Sequence, residues 1–392
     1  MAVMRRGPSF DWWLFLLALA LSISGLVYIY SATWVAPDPV GPWVSPKVVK
    51  QAAYLVAALI VFFILRRINW GLKPESWLWF YVPAVLLLIA LPFIGSDRGT
   101  GATRWIELRL FDIQPSEFAK LALTLILAWL YSGEPHQVRR RFWPALLIML
   151  SLQALVVIQP DLGTSLVFVI IFFVMSLFAP IPRRWIAIVA LYMLWAGVLA
   201  WQVSIPLGTD SNGNARYYQF IKDYQKQRIM AFLDPQQDPS GSGYHIIQSE
   251  NAVGSGGLSG QGFLRGTQVH GGFIPVVDSD FIFTVVGEEY GFFGCLWLLL
   301  LYFLLLARIL ALSRDALSVY ERYICYGTSA VIFFHVFIAV GMTIRLAPIT
   351  GLPLPFVSAG GSALMTMWLY MAILQSIHAN SRRDFRYAGR PR

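Results

Sequence analysis

The sequence predicts an all-α polytopic membrane protein of about ten transmembrane helices, with a large outer loop between the seventh and eighth spans. Three observations predict it. Apolar residues make up 57% of the 392-residue chain. Only 13% of residues are charged, against about 25% in a soluble globular domain. The apolar residues also gather into runs of about 17–25, the length that crosses a hydrocarbon core of ~30 Å.

The spans fall near 12–31, 49–65, 77–94, 115–132, 143–158, 162–180, 185–204, 281–306, 325–345 and 362–379. The first follows Arg5 and Arg6. It is too long for a signal-peptide core and lacks a convincing cleavage site, so it reads as a retained span. Charge then sets orientation. Arg66, Arg67, Arg139, Arg140, Arg141, Arg183, Arg184, Arg314, Arg322, Arg382 and Arg383 fall on one side. Asp97, Glu107, Asp112, Asp161, Asp210, Asp234, Asp278 and Asp280 fall on the other. The positive-inside rule puts both termini in the cytoplasm and the acidic loops outside. The net charge of +9 is thus a topology signal, and no nucleic-acid partner is expected. Cys295 and Cys325 lie inside apolar runs and read as small core residues.

The chain reads as a single membrane domain over 1–392, with 205–280 as its large extracytoplasmic loop. Within that loop, 215–233 sets Tyr217, Phe220, Ile221, Tyr224, Arg228, Ile229 and Phe232 at helical spacing. This predicts an amphipathic helix, lying on the outer membrane surface or packed over the bundle. No internal repeat supports an inverted-repeat transporter.

Five polar constellations stand at the outer side. In 101–120, Arg104 and Trp105 precede Gln114-Pro115-Ser116-Glu117, which opens the fourth span. Glu117 and Lys120 are spaced i,i+3 and can pair on one face, in a cavity or as a pair reaching back to the interface. Asp161, in the short turn 159–164, either caps the sixth span or orients Arg104 or Lys120. The glycine-rich run 254–272 permits close backbone approach to a ligand, but matches no phosphate-loop spacing and reads more readily as an unstructured loop. Asp280 stands at the mouth of the eighth span, as an N-cap or as an ionised base favoured by the helix dipole. Glu288 and Glu289 lie about two turns deeper and need partners. Finally, prolines and glycines break the helix over 345–362, where Ser358, Gly360 and Gly361 could offer donors to an oxyanion or pyrophosphate, or merely form a re-entrant connector.

Taken in order, GATRWI with QPSEFAK, QPDLGTS, YQKQRIMAFLDP with GYHIIQS, GSGGLSGQGFLRGTQ, SDFIFTVVGEEYG and TGLPLPFVSAGGS resemble the SEDS (shape, elongation, division, sporulation) family over about residues 11–380. The loop motifs are more similar to its elongation members than to its division or sporulation paralogues. The resemblance implies a peptidoglycan glycosyltransferase that polymerises lipid II at the outer face of the cytoplasmic membrane during cell elongation. It implies Asp280 as the essential carboxylate, acting as general base, and places Arg104, Glu117, Lys120 and Asp161 around a central cavity. Arg228 is expected to join Arg104 and Lys120 on a pyrophosphate. Expected partners are lipid II, a class B penicillin-binding protein transpeptidase, other elongation proteins and membrane lipids. Mg²⁺ could assist, although the sequence defines no metal site. Family members usually carry Glu, a basic residue or His, and Thr ahead of the aspartate; this chain has Val276, Val277, Asp278 and Ser279, so Asp278 is an added carboxylate. The rival readings are a lipid II flippase and a non-catalytic scaffold.

Overall fold

The computed structural model describes residues 10–34, 44–68, 70, 77–96, 103–107, 112–159, 161–204, 208–209, 215–216, 231–237, 241–274 and 276–388. Among them, ten long helices match the ten expected spans. They are α1 (Trp12–Ala32), α2 (Pro46–Leu65), α3 (Trp77–Ile94), α4 (Pro115–Tyr131), α5 (Pro135–Ile158), α6 (Leu162–Phe178) and α7 (Arg183–Ser204). Two short helices, α8 (Ser242–Ser255) and α9 (Thr267–His270), belong to the outer loop. The bundle resumes with α10 (Ile282–Asp315), α11 (Val319–Thr343) and α12 (Gly361–Ala388). Helices α1, α2, α3, α5, α10 and α11 are long and apolar enough to cross a membrane. Helices suit that setting because each satisfies its own backbone polar groups.

Helix bounds differ from expectation at the basic ends. Helix α5 starts at Pro135 rather than near 143, and α10 runs to Asp315 rather than 306. Apolarity marks where a helix meets lipid, but the backbone continues through the charged interface until a cap or a break stops it. Ser318 supplies such a stop and restart: it forms a reciprocal capping box with Glu321 at the start of α11.

Helix α4 is the central post. It packs against α3, α5, α6, α11 and α12, and all of its residues except Phe118 and Trp129 are buried. Helix α3, by contrast, turns Trp79, Leu86 and Phe93 outward, as a lipid-facing helix does. At the end opposite the outer loop, Asp11 caps α1 and pairs with Arg308 of α10 at 2.6 Å, while Asn380 of α12 donates to Glu321. At the outer end, β1 (Ile106–Glu107) and β2 (Asp112–Ile113) form a small antiparallel hairpin ahead of α4. A second pair, β3 (Gly208–Thr209) and β4 (Ala215–Arg216), follows α7. Residues 217–230 lie outside the described residues, and with them Arg228 and most of the expected amphipathic helix.

Candidate active site

Four loops meet at the outer end of the bundle: those leading into α2, α4 and α10, and the connector between α11 and α12. The turn 276–281 carries Asp280. Its backbone closes on itself, with the amides of Ser279 and Asp280 both donating to the Val276 carbonyl. Helix α10 starts at Ile282 with Phe281 as N-cap and no side-chain cap bond. Asp280 therefore sits one residue ahead of the cap, half-buried, and accepts from the Ser279 hydroxyl at 3.0 Å. The N-cap position itself falls on Phe281 rather than on Asp280.

The connector braces this turn. The Ser358 hydroxyl donates to the Ser279 carbonyl at 2.5 Å and accepts from the Leu354 amide at 2.9 Å. The Ala359 amide donates to the Asp278 carbonyl. Gln51 of α2 clasps the same stretch: its side-chain amide donates to the Ser358 carbonyl, and its oxygen accepts from the Gly360 amide at 3.1 Å. The Ser358 hydroxyl and the Gly360 amide, expected as donors to substrate, both donate within the chain here. Two lysines of α2 neutralise neighbouring acids: Lys47 pairs with Asp278 and Lys50 with Asp112, both at 2.8 Å. Ser362, opening α12, ties in the loop before α4 by donating to the Asp112 carbonyl and accepting from the Gln114 amide.

Arg104 and Asp161 come to the same end. Arg104 donates to the Gln159 carbonyl at 3.3 Å, in the turn that carries Asp161. Asp161 takes the capping option. It accepts from the Thr164 amide and hydroxyl and from the side chain of Gln114.

Glu117 and Lys120 form the expected pair at 2.8 Å, but far from water. Their side chains are 1% and 0% exposed, so the pair does not reach back to the interface. Nor is the ammonium open to a substrate: its other neighbour is Nε2 of His335 on α11, at 3.0 Å. The sequence reading missed His335. The signal was available, since an ionisable residue inside a span calls for a named partner. It missed Gln51 for the same reason.

The glycine-rich run is ordered, and what its backbone approaches is the chain's own backbone. Helix α10 breaks at Gly291, whose φ of 63° and ψ of −160° are not helical. A break leaves carbonyls on one side and amides on the other without intrahelical partners. The strap 257–262 supplies both. Amides of Gln261 and Gly262 donate to the carbonyls of Glu288 and Glu289, and carbonyls of Gly257 and Leu258 accept from the amides of Phe292 and Phe293. A Cβ on Gly260 would stand 2.1 Å from the Glu289 carbonyl oxygen. Glu288 then accepts the amides of Gln268 and Val269 and the Thr267 hydroxyl at the start of α9. Glu289 accepts from Ser31 of α1 at 2.5 Å and pairs with His270 at 3.1 Å. Both oxygens of Glu288 are thus bonded, whereas Glu289, among the described residues, is bonded through Oε1 alone.

Among the described residues, no three His, Cys, Asp or Glu side chains gather where they could hold a metal ion. Among the described residues, Asp112 and Asp278 at this end are each paired with a lysine.

Comparison with known proteins agrees with this architecture. The model of the FtsW/RodA/SpoVE family, described as cell cycle protein, matches residues 11–383. The chain is 35% identical to the peptidoglycan glycosyltransferase MrdB of Escherichia coli K12 over 369 residues, 93% of each chain. It is 32% identical to the peptidoglycan glycosyltransferase RodA of Treponema pallidum, covering 95% of this chain and 99% of that one. Among solved structures, one reported as a peptidoglycan synthase complex that coordinates polymerization and crosslinking superposes with a TM-score of 0.74 at 30% identity, over 96% of this chain and 99% of the other. The rod shape-determining protein RodA of Thermus thermophilus matches with a TM-score of 0.66 at 27% identity, over 94% and 97%. With a family model covering almost the whole chain and relatives above 30% identity along nearly their full length, this protein belongs to the FtsW/RodA/SpoVE family, the SEDS proteins of its sequence resemblance.

Proposed function

We propose that the chain is a peptidoglycan glycosyltransferase that polymerises lipid II at the outer face of the cytoplasmic membrane during cell elongation, with Asp280 as its general base. The observation that carries the reading is the Asp280 turn. A half-buried carboxylate, one residue ahead of the helix N-cap, stands on a turn whose backbone is held by bonds from the connector, at the loop-rich end of a membrane bundle.

In the reaction, a sugar hydroxyl of one lipid-linked substrate attacks the anomeric carbon of another. The proton passes to the Asp280 carboxylate, and the lipid pyrophosphate leaves. A positioned base contributes about 10²–10⁴-fold. Negative charge grows on the pyrophosphate, and preorganised cations offset it. Arg104 supports that role as the half-buried cation at this end; Arg228 is assigned to it from its place in the outer loop. Lys120 and Glu117 act one layer down, as a neutral buried pair that fixes α4 rather than a contact to substrate. Asp161 fixes the start of α6, and Ser358 and Gly360 fix the base. No step is routed through Mg²⁺.

The relative's complex that coordinates polymerization and crosslinking supports a class B penicillin-binding transpeptidase as the partner of this chain, alongside other elongation proteins. Both termini are assigned to the cytoplasm. Purified chain given lipid II should make glycan strands, and the Asp280→Asn variant should not. Movement of lipid II across vesicles without glycan product would favour the flippase reading instead.

A further inference from the structure

His335 joins two parts of the molecule that the sequence keeps far apart. It sits in α11, 1% exposed, with a partner at each ring nitrogen. Nδ1 lies 3.0 Å from the Pro353 carbonyl of the connector. A carbonyl oxygen only accepts, so the proton is on Nδ1 and Nε2 is left as an acceptor. Nε2 in turn lies 3.0 Å from Nζ of Lys120, which donates to it while holding Glu117 on its other side. One residue beyond Pro353, the Leu354 amide donates to the Ser358 hydroxyl, which donates to the carbonyl of Ser279 beside Asp280. The chain of contacts runs from the second turn of α4, through the imidazole, to the turn that carries the base.

We infer that His335 is a positioning residue for glycosyl transfer: it sets the depth of the 346–360 connector against the buried Glu117–Lys120 pair and so the placement of Asp280. The inference rests on the proposed function for its consequence, but not for its geometry. A misplacement of about 1 Å costs roughly a hundredfold in rate, so a link of this kind matters without touching substrate. The imidazole is suited to it because its two nitrogens reach two partners at once, and a single amide reaches one. Asn places its donor near the position of Nδ1; Gln places its oxygen near that of Nε2.

The test uses the full-length protein and three substitutions, His335→Phe, His335→Asn and His335→Gln, with two readouts. In lipid II polymerisation, His335→Phe should lower kcat roughly ten- to hundredfold while KM stays within about a factor of two. His335→Asn, which keeps the bond to Pro353, should recover more activity than His335→Gln. In amide hydrogen exchange, His335→Phe should lose protection over 349–360 and 276–281, and His335→Asn should keep most of it. Unchanged exchange in those segments, or equal activity of Asn and Gln variants, overturns the inference. Wild-type protein that fails to polymerise lipid II overturns the proposed function, and the exchange arm still decides the brace. If His335→Phe does not fold, the Asn–Gln order decides it alone.

Discussion

Two pairs of carboxylates lie ten residues apart, Asp278 with Asp280 and Glu288 with Glu289, and they do opposite work. The glutamates are buried and bonded: Glu288 accepts two amides and a hydroxyl, and one oxygen of Glu289 meets Ser31 and His270. The aspartates sit on a turn whose backbone is braced from the connector while the Asp280 side chain stays half-buried. The difference shows why acidic density alone does not locate chemistry. An acid bonded on both oxygens, as Glu288 is, is a fastener. Asp280, on a turn fastened by the connector, is the acid proposed as the tool of the reaction.

The comparison breaks most sharply at Asp280. Replacing it by Asn keeps the shape and removes the base, so polymerisation should fall by about 10²–10⁴-fold. Thermal unfolding in detergent should stay close to that of the wild type. An active Asp280→Asn protein would move the base elsewhere and erase the distinction between the pairs.

The second-largest effect belongs to Glu288. Truncation to Ala strands the buried Val269 amide and frees the part-buried Gln268 amide and Thr267 hydroxyl, at about 1–3 kcal/mol for a buried unsatisfied group. Glu288→Ala should therefore lose on the order of 3 kcal/mol of stability, with residual activity tracking the folded fraction. Activity lost from protein of unaltered stability would make Glu288 a second tool.

Gly260 tests the strap that houses the glutamates. Its φ is +79°, and an added Cβ meets the Glu289 carbonyl at 2.1 Å and Tyr290 Cα at 2.6 Å. Both obstacles are backbone and cannot step aside. Overpacking costs about 1–3 kcal/mol, and the left-handed conformation adds roughly another 1–2. Gly260→Ala should lower the unfolding midpoint, whereas Ala at Gly254, which has open space around it, should be nearly neutral.

The sequence carried most of the bundle, because span length and apolarity are set by the membrane alone. It also carried the Glu117–Lys120 pair and the Asp161 cap, since both depend on neighbours three residues away along one helix. It did not carry Gln51 with Gly360, His335 with Pro353 and Lys120, or Ser31 with Glu289. These join helices distant in sequence, and no local period records which polar residue meets which. The glycine run 254–272 shows the same limit. Its backbone freedom was legible, but the object of its close approach, a break in α10 at Gly291, was not, because nothing local in either segment records that the two meet.

The smallest effect is expected at Asp278, and it sharpens the comparison from within one turn. Asp278 lies two residues before Asp280 and is equally acidic, but its carboxylate meets the Lys47 ammonium at 2.8 Å. Lys47 is 62% exposed, so the pair is screened and contributes about 0–1 kcal/mol. What holds Asp278 in place is its backbone, through the Ala359 amide to its carbonyl. That bond survives any change of side chain. Asp278→Asn should therefore retain most polymerising activity and shift the unfolding midpoint little, and Lys47→Met should behave alike. The double variant should match either single change, because the two residues act through one contact. Strong loss in Asp278→Asn alone, with Lys47→Met unaffected, would assign the added carboxylate to the reaction and make the turn a two-acid site.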